Sequence, residues 1–131
     1  PEEGIYVFTP NVRIKVSKGV NDEHFTPSKM PHCVHLDMAY IAFPLTVRHI
    51  RTGDRFVPFG MRSSKLVSDF LTDRKRSYFD RQRQLAVFDA NDMLLWLVGE
   101  RTDNRFRVTE RTHDVLQLEY IETLSPSESA F

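Results

Sequence analysis

Apolar and polar residues alternate along much of the chain with the period of two that is typical of β-strands. Between residues 4 and 18, Ile14 and Val16 lie on one predicted face, and Arg13 and Lys15 lie on the other. Because successive side chains in a strand point to opposite faces, this pattern predicts two strands with one buried side. Alternating or continuous apolar stretches predict further strands at residues 33–36, 45–50, 85–88, 93–98, 105–109 and 115–121.

One segment has the periodicity of a helix. Residues 66–71 hold an apolar stripe at helical spacing, and Ser63 or Ser64 is predicted to cap the helix by accepting from a backbone N–H. Charged residues recur every four positions on the opposite face, namely Lys65, Asp69 and Asp73.

The predicted elements follow the order strands, one helix, strands. This order favours an α+β domain over a fold of repeated βαβ units. Residues 85–98 are predicted to form a β-hairpin around a turn at 89–92. A polar loop is predicted at residues 19–31 and a frayed tail at residues 124–131. With 131 residues, the chain suits one domain with one modest core.

The charges are unevenly distributed along the chain. The 18 Lys and Arg residues balance 18 Asp and Glu residues, so the net charge is zero. Residues 48–83 nevertheless hold ten basic and four acidic residues, a local charge of +6 that leaves −6 for the remainder. Such asymmetry is typical of an anion-facing surface, and a solvated face with locally paired charges is the alternative.

The densest basic stretch is residues 74–83, which hold five cations, one acid and the aromatic residues Tyr78 and Phe79. Arginine binds phosphate oxygens in bidentate fashion, and aromatic rings stack on unpaired bases. The stretch as a whole therefore favours an RNA contact. For Phe79 alone, the favoured interpretation is that its ring anchors a second short helix to the core.

No self-contained active site is predicted. The sequence lacks a glycine-rich phosphate loop. It also lacks the Ser-Gly-Gly-x-Asp-Ser pyrophosphatase loop that binds ATP for adenylation. His32 and His35 flank the single cysteine, Cys33, but histidines so placed in a strand point apart, so no metal site is predicted. One cysteine allows no internal disulfide and fits a reducing cytoplasm. No apolar stretch approaches the roughly 20 residues that cross a bilayer, so no membrane segment is predicted.

Five stretches, in order and with few gaps, resemble the C-terminal domain of tRNA(Ile)-lysidine synthetases (synthases). They are residues 43–48 (FPLTVR), 51–61 (RTGDRFVPFGM), 65–71 (KLVSDFL) with 73–75 (DRK), 96–99 (WLVG) and 101–106 (RTDNRF). Three positions depart from the family pattern. Ser63 stands where many members have glycine, and Ser77 and Gln84 stand where they have proline. These departures concern the shape of turns rather than charged contacts.

The resemblance implies a fold and a role. The family's domain is similar to one in a phenylalanyl-tRNA synthetase subunit, an α+β unit of sandwiched, mainly antiparallel β-sheets with one or two short helices. Residues 1–42 would be lead-in strands and a loop of that domain, residues 43–123 its core and residues 124–131 a tail. The parent enzyme would ligate lysine to the wobble cytidine of a minor isoleucine tRNA. It would bind ATP and magnesium in an N-terminal catalytic domain outside this chain, while this domain holds the tRNA acceptor stem.

The same resemblance, carried over by position, implies individual roles. Trp96 and Phe106 would be core residues. For the Arg101–Asp103–Arg105 group, a structural ion-pair cluster that braces a hairpin is an open alternative. The implied RNA contacts are Lys65, Arg74, Lys75, Arg81 and Arg101, with Arg62 and Arg83 as further candidates and Asp69, Asp73 and Asp103 as acids that orient them.

Two other function classes stay open. The domain could be a protein–protein or dimerisation module that braces the parent enzyme, with its basic face against an acidic partner. It could also be a small hydrolase that uses Asp69 and Asp73 as paired carboxylates. Neither explains the ordered motif match, and the sequence does not predict the oligomeric state. A start at Pro1 fits either a processed protein or an excised domain.

Overall fold

A computed structural model describes residues 4–9, 12–21 and 32–122. The described residues form two four-stranded antiparallel sheets, a two-stranded ribbon and two short helices. In spatial order, the first sheet consists of β1 (Gly4–Thr9), β2 (Val12–Val20), β10 (Asp114–Glu122) and β3 (Cys33–Asp37). The second consists of β4 (Thr46–His49), β7 (Leu85–Phe88), β8 (Leu94–Leu97) and β9 (Arg101–Thr102). The ribbon pairs β5 (Arg55–Phe56) with β6 (Lys65–Leu66), and the helices are α1 (Val67–Asp73) and α2 (Tyr78–Arg83). The α+β prediction with mainly antiparallel sheets is confirmed.

The first sheet follows the predicted alternation. Ile14 and Val16 of β2 are buried, whereas Arg13 and Lys15 are exposed. The predicted loop begins too early, because Gly19 and the following residue continue β2 and pair with the start of β10. The rest of that loop, residues 22–31, and the predicted tail lie outside the described residues.

The second sheet is buried on both faces, because it lies between the first sheet and α1. Ala86 faces a core that contains α1, and its neighbour Val87 faces the core between the two sheets. On the paired strand β8, Leu97 faces the core that contains α1, and Trp96 faces the core between the two sheets. Leu95 is one residue extra in the pairing of β7 with β8, and it also enters the core between the sheets. This arrangement explains why the hairpin reads as two continuous apolar runs.

The hairpin and the core residues are as predicted. Trp96 is 1% exposed and Phe106 is 4% exposed. At the predicted turn, the buried carboxylate of Asp89 accepts hydrogen bonds from the backbone N–H groups of Asn91 (2.9 Å) and Met93 (3.0 Å). The turn is therefore fixed by its own aspartate.

The predicted start of the first helix is wrong. The residues that precede Val67 pair as β6 with the ribbon strand β5, and the helix begins only at Val67. Ser64 does not occupy the cap position, which is Leu66, and its hydroxyl instead accepts from Arg55 Nε at 2.9 Å. The backbone N–H of Val67 instead donates to the carbonyl of Asp54 at 2.9 Å. A tertiary contact thus replaces the side-chain cap that the sequence suggested.

The predicted strand at residues 105–109 is also wrong. Residues Asn104–Phe106 form a short 3-10 turn, and β9 ends before it, at Thr102. The carboxylate of Asp103 accepts from the backbone N–H of Arg105 at 2.8 Å, which starts the turn and prevents an extended strand. Neither helix among the described residues is long and apolar enough to cross a membrane.

Candidate nucleic-acid interface

Helix α1 packs one face on the second sheet and presents the other to solvent. Val67, Phe70 and Leu71 are buried in the core beneath it. Each such side chain contributes about 1.5–3 kcal/mol on burial, which compensates for the short length of the helix. Its outward face holds Asp69 and Asp73, both exposed. The helix is therefore a fixed support for the charged residues that surround it.

Two arginines from different parts of the chain approach one buried ring. The guanidinium carbon of Arg74 lies 5.7 Å from the centroid of Phe70, and that of Arg101 lies 5.4 Å from it. The Phe70 ring is held in turn by an edge-on contact with Phe56, with centroids 5.3 Å apart. Because a guanidinium is attracted to the face of a ring, Phe70 gathers two cations at the same surface.

Glu100 fixes the orientation of two arginines at this surface. Its carboxylate accepts from Arg74 Nε and from Arg76 Nε, each at 2.7 Å, and its side chain is only 7% exposed. The hydrogen bonds that Arg76 donates to Glu100 raise the pKa of Arg76 above its ordinary value. One buried acid thus holds two half-exposed cations side by side.

Lys75 occupies a backbone position that usually belongs to glycine. Its φ is 60°, in the left-handed region, directly after the end of α1. The N–H of Lys75 donates to the carbonyl of Thr72 (2.8 Å), and the N–H of Arg76 donates to that of Leu71 (3.0 Å). These two bonds form the helix-ending motif in which glycine is the common residue. Lysine at this position is exposed and incurs a conformational cost that glycine would avoid.

Most residues predicted from the resemblance form a connected group, and Arg62 lies apart from it. Lys65 pairs with Asp73 across α1. Arg81 donates from Nη1 to the carbonyl of Arg76 at 3.0 Å, which connects α2 to the same surface. Arg62 is exposed in the loop before β6, and no ion pair or hydrogen bond of the described residues joins it to the group. We call the following set the α1 basic face: Lys65, Arg74, Lys75, Arg76 and Arg101.

Two of the three predicted supporting acids, Asp73 and Asp103, form ion pairs in the structure. Asp73 pairs with Lys65, as a supporting acid would. Asp103 is fully buried and pairs with Arg105 at 2.8 Å rather than with Arg101, and it also accepts from the N–H of Val57 at 2.9 Å. This geometry favours the structural alternative for Asp103. Glu100, which sequence reasoning missed, is the acid that orients the arginines.

Phe79 does not anchor α2 to the core. Its ring is 65% exposed, and Tyr78 is 70% exposed. No residue of α2 is buried. The interpretation of Phe79 as a core anchor is therefore wrong, because α2 lies beside the second sheet without inserting a side chain into it.

The described residues offer no centre for metal chemistry. Across residues 4–9, 12–21 and 32–122, no three His, Cys, Asp or Glu side chains lie close enough together to hold a metal ion. His35 instead lies across from Gln117 in the first sheet, with Nε2 3.0 Å from the amide oxygen.

A cleft of about 540 Å³ beside α2 is lined by Arg83, Glu100 and Tyr120 among others. Burial and a hydrogen bond to a carboxylate raise the pKa of Tyr120 to about 12, so this phenol stays neutral.

Comparisons with known proteins agree with the motif match. The family model of the TilS substrate C-terminal domain matches residues 45–120. A tRNA(Ile)-lysidine synthase of Parabacteroides distasonis is 37% identical over 121 residues, which are 92% of this chain and 27% of that protein. The crystal structure of a TilS C-terminal domain matches with a TM-score of 0.75 and 25% identity, and the match covers 95% of each chain.

A more distant match concerns the fold alone. An N-terminal fragment of the phenylalanyl-tRNA synthetase β-subunit from Pyrococcus horikoshii matches with a TM-score of 0.59 and 17% identity. The match covers 70% of this chain and 28% of that fragment. The expected likeness to a phenylalanyl-tRNA synthetase subunit is thus confirmed at the level of fold.

Proposed function

Because this chain belongs to the TilS substrate C-terminal domain family, we propose that it binds the acceptor stem of an isoleucine tRNA for a tRNA(Ile)-lysidine synthase. The chain spans 27% of the Parabacteroides relative. By this proposal, the catalytic centre lies in an N-terminal domain of the same parent protein. That domain would bind ATP and magnesium and ligate lysine to the wobble cytidine. The parent enzyme would act in the cytoplasm.

The observation that carries this proposal is the α1 basic face. Its cations come from the ribbon, from the end of α1 and from β9, yet Phe70 and Glu100 gather three of them at one surface. A group of arginines fixed by packing loses little side-chain entropy when it binds phosphates. The net charge of the chain is zero, so this local surface, rather than an overall charge, would attract the RNA.

The chemistry of the face suits the backbone of a duplex. Side chains cannot enter the deep and narrow major groove of A-form RNA, so proteins recognise such stems by shape, phosphates and 2′-hydroxyls. Arg74 and Arg101 offer planar, bidentate donors for phosphate, and Lys75 offers a mobile point charge directly after the end of α1. The described residues supply no metal cluster. The proposed role is accordingly affinity and positioning, with no chemical step on this chain.

Fluorescence anisotropy with labelled isoleucine tRNA tests the proposal. The wild-type chain should bind with an affinity that falls with salt at a slope of roughly three to six neutralised phosphates. A tRNA truncated in its acceptor stem should bind much more weakly. Lys65→Ala and Arg74→Ala should each reduce the affinity and lower the salt slope by about 1.

Arg111→Ala is the matched control, because Arg111 is an exposed arginine in the loop before β10, outside the α1 basic face. It should bind like the wild type. Equal losses in Arg111→Ala and Arg74→Ala would show that only general charge matters. An absence of RNA affinity, together with a mass that rises with concentration in sedimentation, would support the dimerisation module instead.

A further inference from the structure

Helix α2 exposes two aromatic rings that the fold does not use. Its six residues include none that is buried, and Tyr78 and Phe79 are 70% and 65% exposed. So short a helix is unstable in isolation. Large apolar side chains grouped at a surface commonly mark a binding site.

Side-chain hydrogen bonds define the two ends of α2, and the one at its C-terminal end also reaches the residue after β8. At the start, the Ser77 hydroxyl accepts from the N–H of Asp80 at 3.0 Å. At the end, Gln84 Nε2 donates to the carbonyls of Leu85 (2.8 Å) and Val98 (2.7 Å). Ser77 and Gln84 are two positions where the chain departs from the family pattern described above, and both are used here as hydrogen-bonding residues. Tyr78 and Phe79, the first two residues of the helix, remain exposed beside these bonds.

Each ring has its own arginine one helical turn further along. The guanidinium carbon of Arg81 lies 6.0 Å from the Tyr78 centroid, and that of Arg83 lies 5.3 Å from the Phe79 centroid. Consecutive residues of a helix point about 100° apart, so the two rings form separate surfaces rather than one sandwich. Each surface combines a flat π-face with a flat cation, which is the combination that holds unpaired bases and their phosphates.

Resting on the tRNA-binding role proposed above, we propose that α2 is a stacking platform for unpaired RNA nucleotides that adjoin the stem held by the α1 basic face. Arg81 connects the two surfaces, because it donates to the carbonyl of Arg76. An unpaired nucleotide carries both parts of the matching chemistry, a base for the ring and a phosphate for the guanidinium. An apolar protein surface would match the rings alone and would have to bury Arg81 and Arg83 without charge partners.

The test uses two RNA hairpins that share one stem. One ends blunt, and the other carries a short unpaired 3′ extension that contains 2-aminopurine, whose fluorescence falls when the base stacks. The wild-type chain should bind the extended hairpin about tenfold more tightly than the blunt one, with quenching of the fluorophore. The double substitution Tyr78→Ala and Phe79→Ala should remove both the gain and the quenching, yet bind the blunt hairpin within about twofold of the wild type.

Two controls distinguish stacking from charge and from folding. Tyr78→Phe keeps the ring and should retain the higher affinity for the extended hairpin. Lys75→Ala should lower the affinity for both hairpins equally. Thermal unfolding of the double variant should match the wild type, because the rings are exposed.

Three results would count against the platform. Equal affinity of the wild type for the two hairpins would overturn it and leave the phosphate-binding role intact. An unchanged gain in the double variant would do the same. A failure of the wild type to bind either hairpin would remove the proposed tRNA-binding function itself, together with the platform.

Discussion

Lys75→Gly should make the domain more stable and a weaker RNA binder. At a φ of 60°, a side chain in the left-handed region costs about 1–2 kcal/mol. Glycine avoids this cost but loses about 0.5–1 kcal/mol more backbone entropy on folding. The difference predicts a free energy of unfolding that is higher by about 0.5–1 kcal/mol. Loss of the exposed charge should at the same time weaken tRNA binding and lower the salt slope by about 1.

Urea denaturation and anisotropy measure the two effects separately. The urea midpoint of Lys75→Gly should rise with an unchanged slope, since the surface exposed on unfolding stays the same. Lys75→Ala is the matched control, because it removes the charge but keeps a side chain in the left-handed position. It should weaken binding as much as the glycine variant does, without the gain in stability.

The effects of Lys75 on stability and on RNA binding can be refuted separately. A glycine variant less stable than the wild type would show that the lysine side chain stabilises the end of α1. The argument from backbone strain would then be wrong. Wild-type affinity in both variants would show that Lys75 does not contact the RNA, whatever its effect on stability.

Three further predictions concern ionisable side chains that are wholly or partly buried. Asp103→Ala should lower the free energy of unfolding by about 2–3 kcal/mol, read from urea melts, because it leaves the buried N–H of Val57 without its acceptor and removes the ion pair with Arg105. Burial tends to raise the pKa of Asp54. The hydrogen bonds that it accepts, above all from Arg48, outweigh burial and bring the pKa below the ordinary 3.8. The resulting stability is present above about pH 4 and is lost as the pH falls through the lowered pKa, so Asp54→Asn should flatten acid denaturation there. Tyr120 should ionise near pH 12 in an ultraviolet titration, and ionisation near pH 10 would contradict its burial.

The predictions that succeeded concern periodic patterns. The alternation at Ile14 and Val16 predicted a strand with one buried face, and the apolar runs at 85–88 and 93–98 predicted the central hairpin. Both patterns record burial directly, one residue at a time. The helix was found for the same reason, but its start was misplaced. Ser64 has the chemistry of a cap, and only the fold shows that a ribbon strand separates it from the helix.

The candidate interface was harder to predict, because its organisation depends on contacts distant in sequence. The basic run showed where cations are concentrated, but not what orients them. Glu100 lies more than twenty positions from Arg74 and Arg76 in the chain, and nothing local distinguishes it from any acid in a turn. Phe79 was misassigned because an aromatic residue in a helix is usually buried. Its exposure follows from the position of α2 at the surface, where no residue of the helix is buried, and no local pattern encodes that position.

The central hairpin also determines how the domain should come apart. A protein with two hydrophobic cores can unfold in two steps, but β7 and β8 contribute side chains to both cores. Neither core can open without exposing strands that the other needs. Amide hydrogens of Ala86, Val87 and Leu97 should therefore exchange with solvent only through global unfolding, whereas those of α2 should exchange through small local openings. Helix α1, which supports the α1 basic face, would thus rest on the slowest-exchanging part of the molecule, whereas α2 would be among the fastest to exchange.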